Sequence, residues 1–127
     1  MKQAKIVASV IFIIIITGGI IEQLYIKKTF SDFEGYTDYF ETAMNANDFY
    51  SAKSKMDEFA TFWDKKSSVL ESLAHTRDIK TVTLEISHLN AYITVQNKSE
   101  AMVSLITLKS MSDNLEKLLL FRIEHII

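Results

Sequence analysis

The chain has 127 residues, a net charge of −2 and no cysteine, which excludes disulfides, thiolate metal sites and thiol catalysis. After Thr29 it has ten basic and fifteen acidic residues, a balance of −5, so the basic face of a nucleic-acid binder is missing and we expect no nucleic acid among its partners. It also has no proline and only three glycines, a composition that favours long helices.

The first element is apolar and begins the chain. Residues 6–21 contain no charged side chain, and Lys2 and Lys5 precede them. As a helix, residues 6–21 measure about 24 Å, and extension to Ile26 gives about 31 Å, close to a bilayer core. We therefore predict a short flank over residues 1–5, a transmembrane signal-anchor helix over 6–26 and a helical domain over 27–127. A cleaved secretory signal is the alternative, although no clear small-x-small cleavage site follows the apolar run.

The orientation of this helix is weakly defined by charge. Lys2, Lys5 and the amino terminus oppose Lys27 and Lys28 at the other end. The balance leans slightly toward an amino terminus inside the cell.

Four segments with helical periodicity follow, and each has one apolar stripe. The third contains β-branched Thr81, Val82 and Thr83, but its apolar residues keep the helical rather than the strand period. Turn-prone residues at 45–48, 75–78 and 97–99 separate the segments, so neighbouring helices should be antiparallel. The stripes are Phe30, Phe33, Thr37, Phe40 and Met44; Phe49, Ala52, Met56, Phe59, Trp63 and Leu70; Ile79, Val82, Ile86, Leu89 and Ile93; and Ala101, Leu105, Leu108, Ser112, Leu115 and Leu119.

This pattern predicts an all-α fold, with the transmembrane helix followed by two antiparallel helical hairpins in a four-helix bundle-like domain. The first helix should continue without a break from the membrane segment. A weak internal repeat with an offset of 49 residues supports the hairpins, because Ala52-x-x-x-Met56-x-x-Phe59 matches Ala101-x-x-x-Leu105-x-x-Leu108. Asn97 followed by Glu100 is typical of a helix start with Asn as the cap.

Few residues suggest chemistry. Glu85-x-x-His88 resembles half of a di-iron bundle site, but no second Glu-x-x-His occurs, and an ordinary polar helix face is preferred. His75 and Asp78 flank the middle turn, where Asp78 or Thr76 is expected to cap the third helix. The sequence shows neither a nucleophile elbow nor a glycine-rich phosphate loop, so we expect no enzyme, no cofactor and no metal.

Two apolar features leave alternatives open. Trp63 lies within a core stripe, so packing is preferred over partner anchoring or ligand stacking. The carboxyl terminus, from Leu118 to Ile127, is too apolar for an exposed tail. It either closes over the core, which we prefer, or docks on a partner or a membrane surface.

A family resemblance extends over nearly the whole chain. The chain resembles domain-of-unknown-function family 4363, small membrane-anchored proteins of endospore-forming Bacillota. It departs from the family at its end, where Glu124-His125-Ile126-Ile127 replaces an Asn-Ile-containing finish, and in a more aromatic first soluble helix. The resemblance is found in the anchor, Asn47-Asp48-Phe49 with Ala52, Trp63, His75-x-x-Asp78-Ile79, Leu89 to Ile93, Asn97-x-x-Glu100-Ala101 and the terminal Ile-Ile.

The resemblance implies a single-pass protein of the cell or spore membrane with its domain outside the cytoplasm, and it implies no activity or cofactor. The membrane tether, the aromatic-rich membrane-proximal helix and the absence of site chemistry predict a non-enzymatic accessory protein whose partners are the lipid bilayer and another integral membrane protein. An extracytoplasmic helical-bundle ligand sensor without its own signalling domain is the alternative. The residues predicted to bind the partner are Trp63, His75, Asp78, Phe33, Tyr36 and Phe40.

Overall fold

The computed structural model describes residues 2–74 and 76–126, with the backbone alone for Ile126. Every regular element in those residues is a helix: α1 (Lys2–Asn45), α2 (Phe49–Leu73), α3 (Arg77–Thr94) and α4 (Lys98–Ile126). The all-α fold is confirmed, and so is the helical third segment. α1 runs from the apolar amino-terminal segment into the domain without a break.

The four helices form an antiparallel bundle in which each packs on two neighbours. α1 contacts α2 and α4, and α3 contacts the same two, so α1 and α3 lie diagonally opposite each other. The core consists of the predicted apolar stripes, which are buried except for the half-buried Phe49. One apolar stripe per helix is what a bundle of this kind needs to fill its interior.

The turns between α1 and α2 and between α3 and α4 have the same geometry, 49 residues apart. Asn47 and Gln96 both take left-handed backbone conformations, with φ of 55° and 57°. The next residue accepts the amide hydrogen of the third helical residue in both: Asp48 from Ser51 N–H at 3.0 Å and Asn97 from Glu100 N–H at 3.2 Å. The predicted Asn97 cap is confirmed, and the third break occupies residues 95–97 rather than 97–99 because Lys98 is already helical.

The middle turn is built differently. Thr76 caps α3, and its hydroxyl accepts the Asp78 N–H at 3.2 Å. Asp78 is exposed in the first helical turn, where a carboxylate favours the positive end of the helix dipole. His75, which was predicted to share this turn, lies outside the described residues.

The amino-terminal part of α1 extends beyond the bundle. Its large apolar side chains from Ile6 to Ile15 are 49–64 % exposed, whereas Ile26 is fully buried in the core. Of the helices described, α1 is the one long and apolar enough to cross a bilayer, a property that a signal sequence would share. At the other end of the chain, Leu115, Leu119 and Ile123 are buried, so the carboxyl terminus does close over the core.

Candidate functional site: an aromatic groove between α1 and α2

Three of the six predicted partner-binding residues are core residues. Phe33 and Phe40 are fully buried, and Trp63 is 2 % exposed. Phe33 packs edge-on against Trp63, with ring centroids 5.4 Å apart. Another protein cannot reach these rings while the domain is folded.

Trp63 connects α2 to α3 through its polar atom. The indole Nε1–H donates to the Thr83 hydroxyl at 2.8 Å, and the ring lies within the apolar core. A buried indole usually needs such an acceptor. This contact supports the packing role that was preferred for Trp63.

Tyr36 is the predicted residue that lies beside a groove. Its ring is half-buried and packs on Phe62 of α2, with centroids 5.0 Å apart. The space between the two helices has a volume of about 370 Å³. We call it the aromatic groove, and its lining residues are Ser31, Asp32, Gly35, Tyr36, Tyr39, Lys55 and Phe62.

The aromatic groove continues the core outward. Tyr36 packs on the buried Phe59 at a centroid distance of 5.1 Å, and Phe59 in turn packs on Phe33 at 5.2 Å. Tyr39 is 41 % exposed at the edge of the groove. Rings supported from behind lose little conformational entropy when they bind, and for this reason aromatic residues are enriched at protein interfaces.

An ion pair, Lys55 with Glu58, lies at the polar edge of the groove, which Asp32 also lines. Lys55 Nζ lies 5.6 Å from the Tyr36 ring centroid and 5.2 Å from that of Tyr39, and it pairs with Glu58 at 2.9 Å. The hydrogen bond to Lys55 lowers the pKa of Glu58, and the same bond raises the pKa of Lys55. Burial, followed by the charge of Glu58, raises the pKa of the Tyr36 phenol. All three groups therefore keep their ordinary neutral-pH protonation, with Tyr36 as a hydrogen-bond donor.

Gly35 forms an open part of the groove. A Cβ placed on this exposed helical residue would meet no heavy atom of the domain within 4 Å. The missing side chain therefore leaves space that a partner could occupy, and an added methyl group would meet no neighbour there.

A second cleft lies on the opposite side of α1, against α4, and it is acidic. It has a volume of about 200 Å³, and four carboxylates line it: Glu34, Asp38, Asp113 and Glu116. Lys109 is its one lining cation and pairs with Asp38 at 3.1 Å and with Glu41. Burial, reinforced by Asp113 and Glu34, raises the pKa of Glu116.

Glu116→Gln should stabilise the domain slightly at neutral pH. The folded-state pKa of Glu116 lies above its unfolded value, so folding favours the protonated acid and stability falls as pH rises through these values. We expect a small rise in Tm at pH 7 that shrinks toward pH 4. An unchanged or lower Tm at pH 7 would show that Glu116 gains more from its cationic neighbours than it loses by burial.

Glu85 and His88, the other sequence candidates, have structural partners. Glu85 accepts a hydrogen bond from Ser104 of α4 at 2.8 Å, and His88 Nδ1 lies 3.4 Å from Glu85. Among the described residues, no three His, Asp or Glu side chains converge as metal ligands would. Glu85 thus connects α3 to α4 through Ser104, and His88 contacts Glu85 within α3.

Sequence reasoning missed most of the aromatic groove. Gly35, Lys55 and Phe62 were not predicted, and Tyr39 was not distinguished from its aromatic neighbours. Phe62 carried a signal, because it is an aromatic residue one position away from the core stripe that contains Trp63. An aromatic ring that the core does not need is a candidate for a surface role.

Fold and surface together define the class: an antiparallel four-helix bundle extended at its amino terminus by an apolar helix. The family described as Domain of unknown function (DUF4363) matches residues 20–126, and the chain belongs to it. The match includes all four bundle helices and begins within α1. Comparison with curated proteins and with solved structures gave no match.

Proposed function

We propose that this protein is a membrane-anchored, non-enzymatic accessory protein that binds another integral membrane protein through the aromatic groove. The groove between α1 and α2 is the observation on which the proposal depends. It combines aromatic rings that pack against the core, a glycine with open space around it and a lysine at its edge. Such a surface suits an apolar or aromatic segment of a partner chain.

An uncleaved anchor is the second part of the proposal. The exposed apolar side chains of α1 need a lipid environment, and the same helix supplies one side of the groove. We place the domain outside the cytoplasm, in line with Lys2, Lys5 and the amino terminus on the inner side. One continuous helix then passes from the bilayer to the binding surface.

The height of the groove supports a membrane-protein partner. Ser31 and Tyr39 lie five and thirteen residues beyond Ile26 on α1, or about 8 and 20 Å along the helix axis. Extracellular loops of a protein in the same bilayer would occupy this layer. A partner tethered to the same membrane also gains effective concentration, so a groove of modest area would suffice.

Gly35→Leu tests the groove directly. The Cβ of the leucine meets no neighbour and the side chain should project into the groove, and replacement of a helical glycine stabilises the fold by up to about 1 kcal/mol. Full-length tagged protein is purified from mildly solubilised native membranes, and co-purifying chains are quantified. We expect one stoichiometric integral membrane protein with the unchanged chain and at least a tenfold loss with Gly35→Leu.

Gly35→Ala is the matched control, since it gives the same helix stabilisation with a side chain too small to fill the groove. It should retain the partner. Equal recovery with leucine and alanine would remove the groove from the interface. Complete absence of a partner with the unchanged chain would favour the sensor alternative, and a ligand-dependent rise in Tm would then test a small molecule in the same groove.

A further inference from the structure

The register between α1 and α4 fixes the depth that α4 reaches toward the membrane. Lys109 of α4 pairs with Asp38 of α1 at 3.1 Å, and the two helices are antiparallel neighbours. Both rise about 1.5 Å per residue, so positions can be matched one to one along the pair. Counted from this ion pair, the backbone of Ile126 comes level with about Ile21, and Phe121 comes level with about Ile26.

The bilayer surface then lies nearer the amino terminus of α1 than the predicted boundary at Ile26. Ile26 is fully buried among protein side chains, and Tyr25 packs against the same core, so both belong to the bundle. Glu22 is the first charged residue after the apolar run of residues 6–21. The lipid-exposed segment is therefore residues 6–21, about 24 Å long, and it falls short of a hydrocarbon core of about 30 Å. A short span draws the attached domain close against the bilayer.

Apolar side chains are exposed at this end of the bundle. Phe121 is 57 % exposed on the outer side of α4, and on α1 Ile21 and Leu24 are 60 % and 61 % exposed. We call Ile21, Leu24 and Phe121 the interfacial patch. The His125 ring packs on Phe121, with centroids 4.1 Å apart, which makes an amphipathic aromatic pair of the kind that favours the headgroup layer.

The charges near the interfacial patch do not select an anionic surface. Lys27, Lys28 and the exposed Arg122 lie near this level, and so do Glu22 and Glu124. Long basic side chains beside an apolar patch can extend toward the phosphates while their stems remain near lipid. Burial of apolar surface, rather than net charge, would therefore drive the contact, and a neutral bilayer should suffice.

We propose that the last two turns of α4 lie in the interfacial layer of the bilayer, with Phe121 inserted beside Ile21 and Leu24. The inference depends on the membrane anchoring proposed above. It gives the carboxyl terminus two roles: Leu119 and Ile123 complete the core, and Phe121 contacts lipid. The bundle would then be attached to the membrane at two helices instead of one.

Single-cysteine labelling tests this contact, since the chain has no cysteine of its own. Phe121→Cys, Ile106→Cys and Ile14→Cys each carry one nitroxide in full-length protein reconstituted in phosphatidylcholine vesicles. Ile106 is the matched control, because it is 65 % exposed on the same helix. It lies fifteen residues earlier, about 22 Å farther from the membrane. Collisions with oxygen, which concentrates in lipid, and with a water-soluble nickel chelate are measured by electron paramagnetic resonance.

The expected ratio of oxygen to nickel collisions is several-fold higher at position 121 than at position 106, and highest at position 14. If positions 121 and 106 give equal ratios while position 14 is lipid-exposed, the anchor stands and the interfacial contact is wrong. If the nitroxide at position 14 also collides frequently with the nickel chelate, the anchoring proposal fails and this inference fails with it. All three replaced side chains are exposed, so none of the substitutions removes a core contact.

Discussion

Trp63→Ala should destabilise the domain by about 3–5 kcal/mol, the range for truncation of a large buried aromatic residue. Trp63 is 2 % exposed and packs edge-on against Phe33. A domain of this size has about 5–15 kcal/mol of total stability, so much of it would be lost. Urea denaturation of full-length protein in detergent, followed by far-UV circular dichroism, measures the change.

Two further variants separate the ring from its hydrogen bond. Trp63→Phe keeps an aromatic ring in the core and should recover most of the loss. Thr83→Val removes the acceptor of the indole N–H, but Thr83 is exposed and water can replace its hydroxyl, so we expect at most about 1 kcal/mol. Wild-type stability for Trp63→Ala would contradict the core placement and return Trp63 to the candidate partner anchors.

Lys28→Pro should be the second large perturbation, because it interrupts α1 between its apolar amino-terminal segment and the groove. Proline removes the hydrogen bond from residue 28 to the carbonyl of residue 24 and clashes with that carbonyl, at a cost of about 3 kcal/mol or more. The Lys28 side chain itself is 74 % exposed, so the damage comes from the backbone. Fluorescence of Trp63, the one tryptophan, reports unfolding of the domain in detergent.

Lys28→Ala is the control for this variant. It removes the exposed Lys28–Asp32 pair, 2.7 Å apart, whose contribution is at most about 0.5 kcal/mol, and it keeps the helix. A proline variant as stable as the alanine variant would show that the junction tolerates a break. In that case the bundle would not need a continuous α1, and the groove would not be held at a fixed height.

Helical periodicity was sufficient to predict the core and the four helices, because a bundle buries one stripe per helix whatever its sequence details. The same stripes contained Phe33, Phe40 and Trp63, so the sequence already had reason to assign those rings to packing. The aromatic groove was harder to predict. Whether Tyr36 meets Phe62 depends on the register of α1 against α2, which the turn geometry at Asn47 sets and which periodicity within one helix does not encode.

The depth of the carboxyl terminus was also beyond sequence reasoning. The apolar end of α4 suggested both closure over the core and docking on a membrane. Ile123 is buried while Phe121 is exposed, so the two possibilities concern different faces of one helix. The Lys109–Asp38 contact between α4 and α1 brings the second face near the end of α1 that is proposed to enter the bilayer.

Because α1 is one unbroken helix, a tilt of its amino-terminal segment would be transmitted to the whole bundle. With the anchoring proposed above, the helix from Glu22 to Asn45 would extend about 35 Å above the bilayer surface, and α1 has no break between this part and the apolar segment. Transmembrane helices tilt by about 20° on average, and a tilt of that size would displace the top of the bundle sideways by about 12 Å. Any change in the tilt of the proposed anchor would therefore reposition the groove relative to neighbouring membrane proteins, whereas a flexible linker would abolish this coupling.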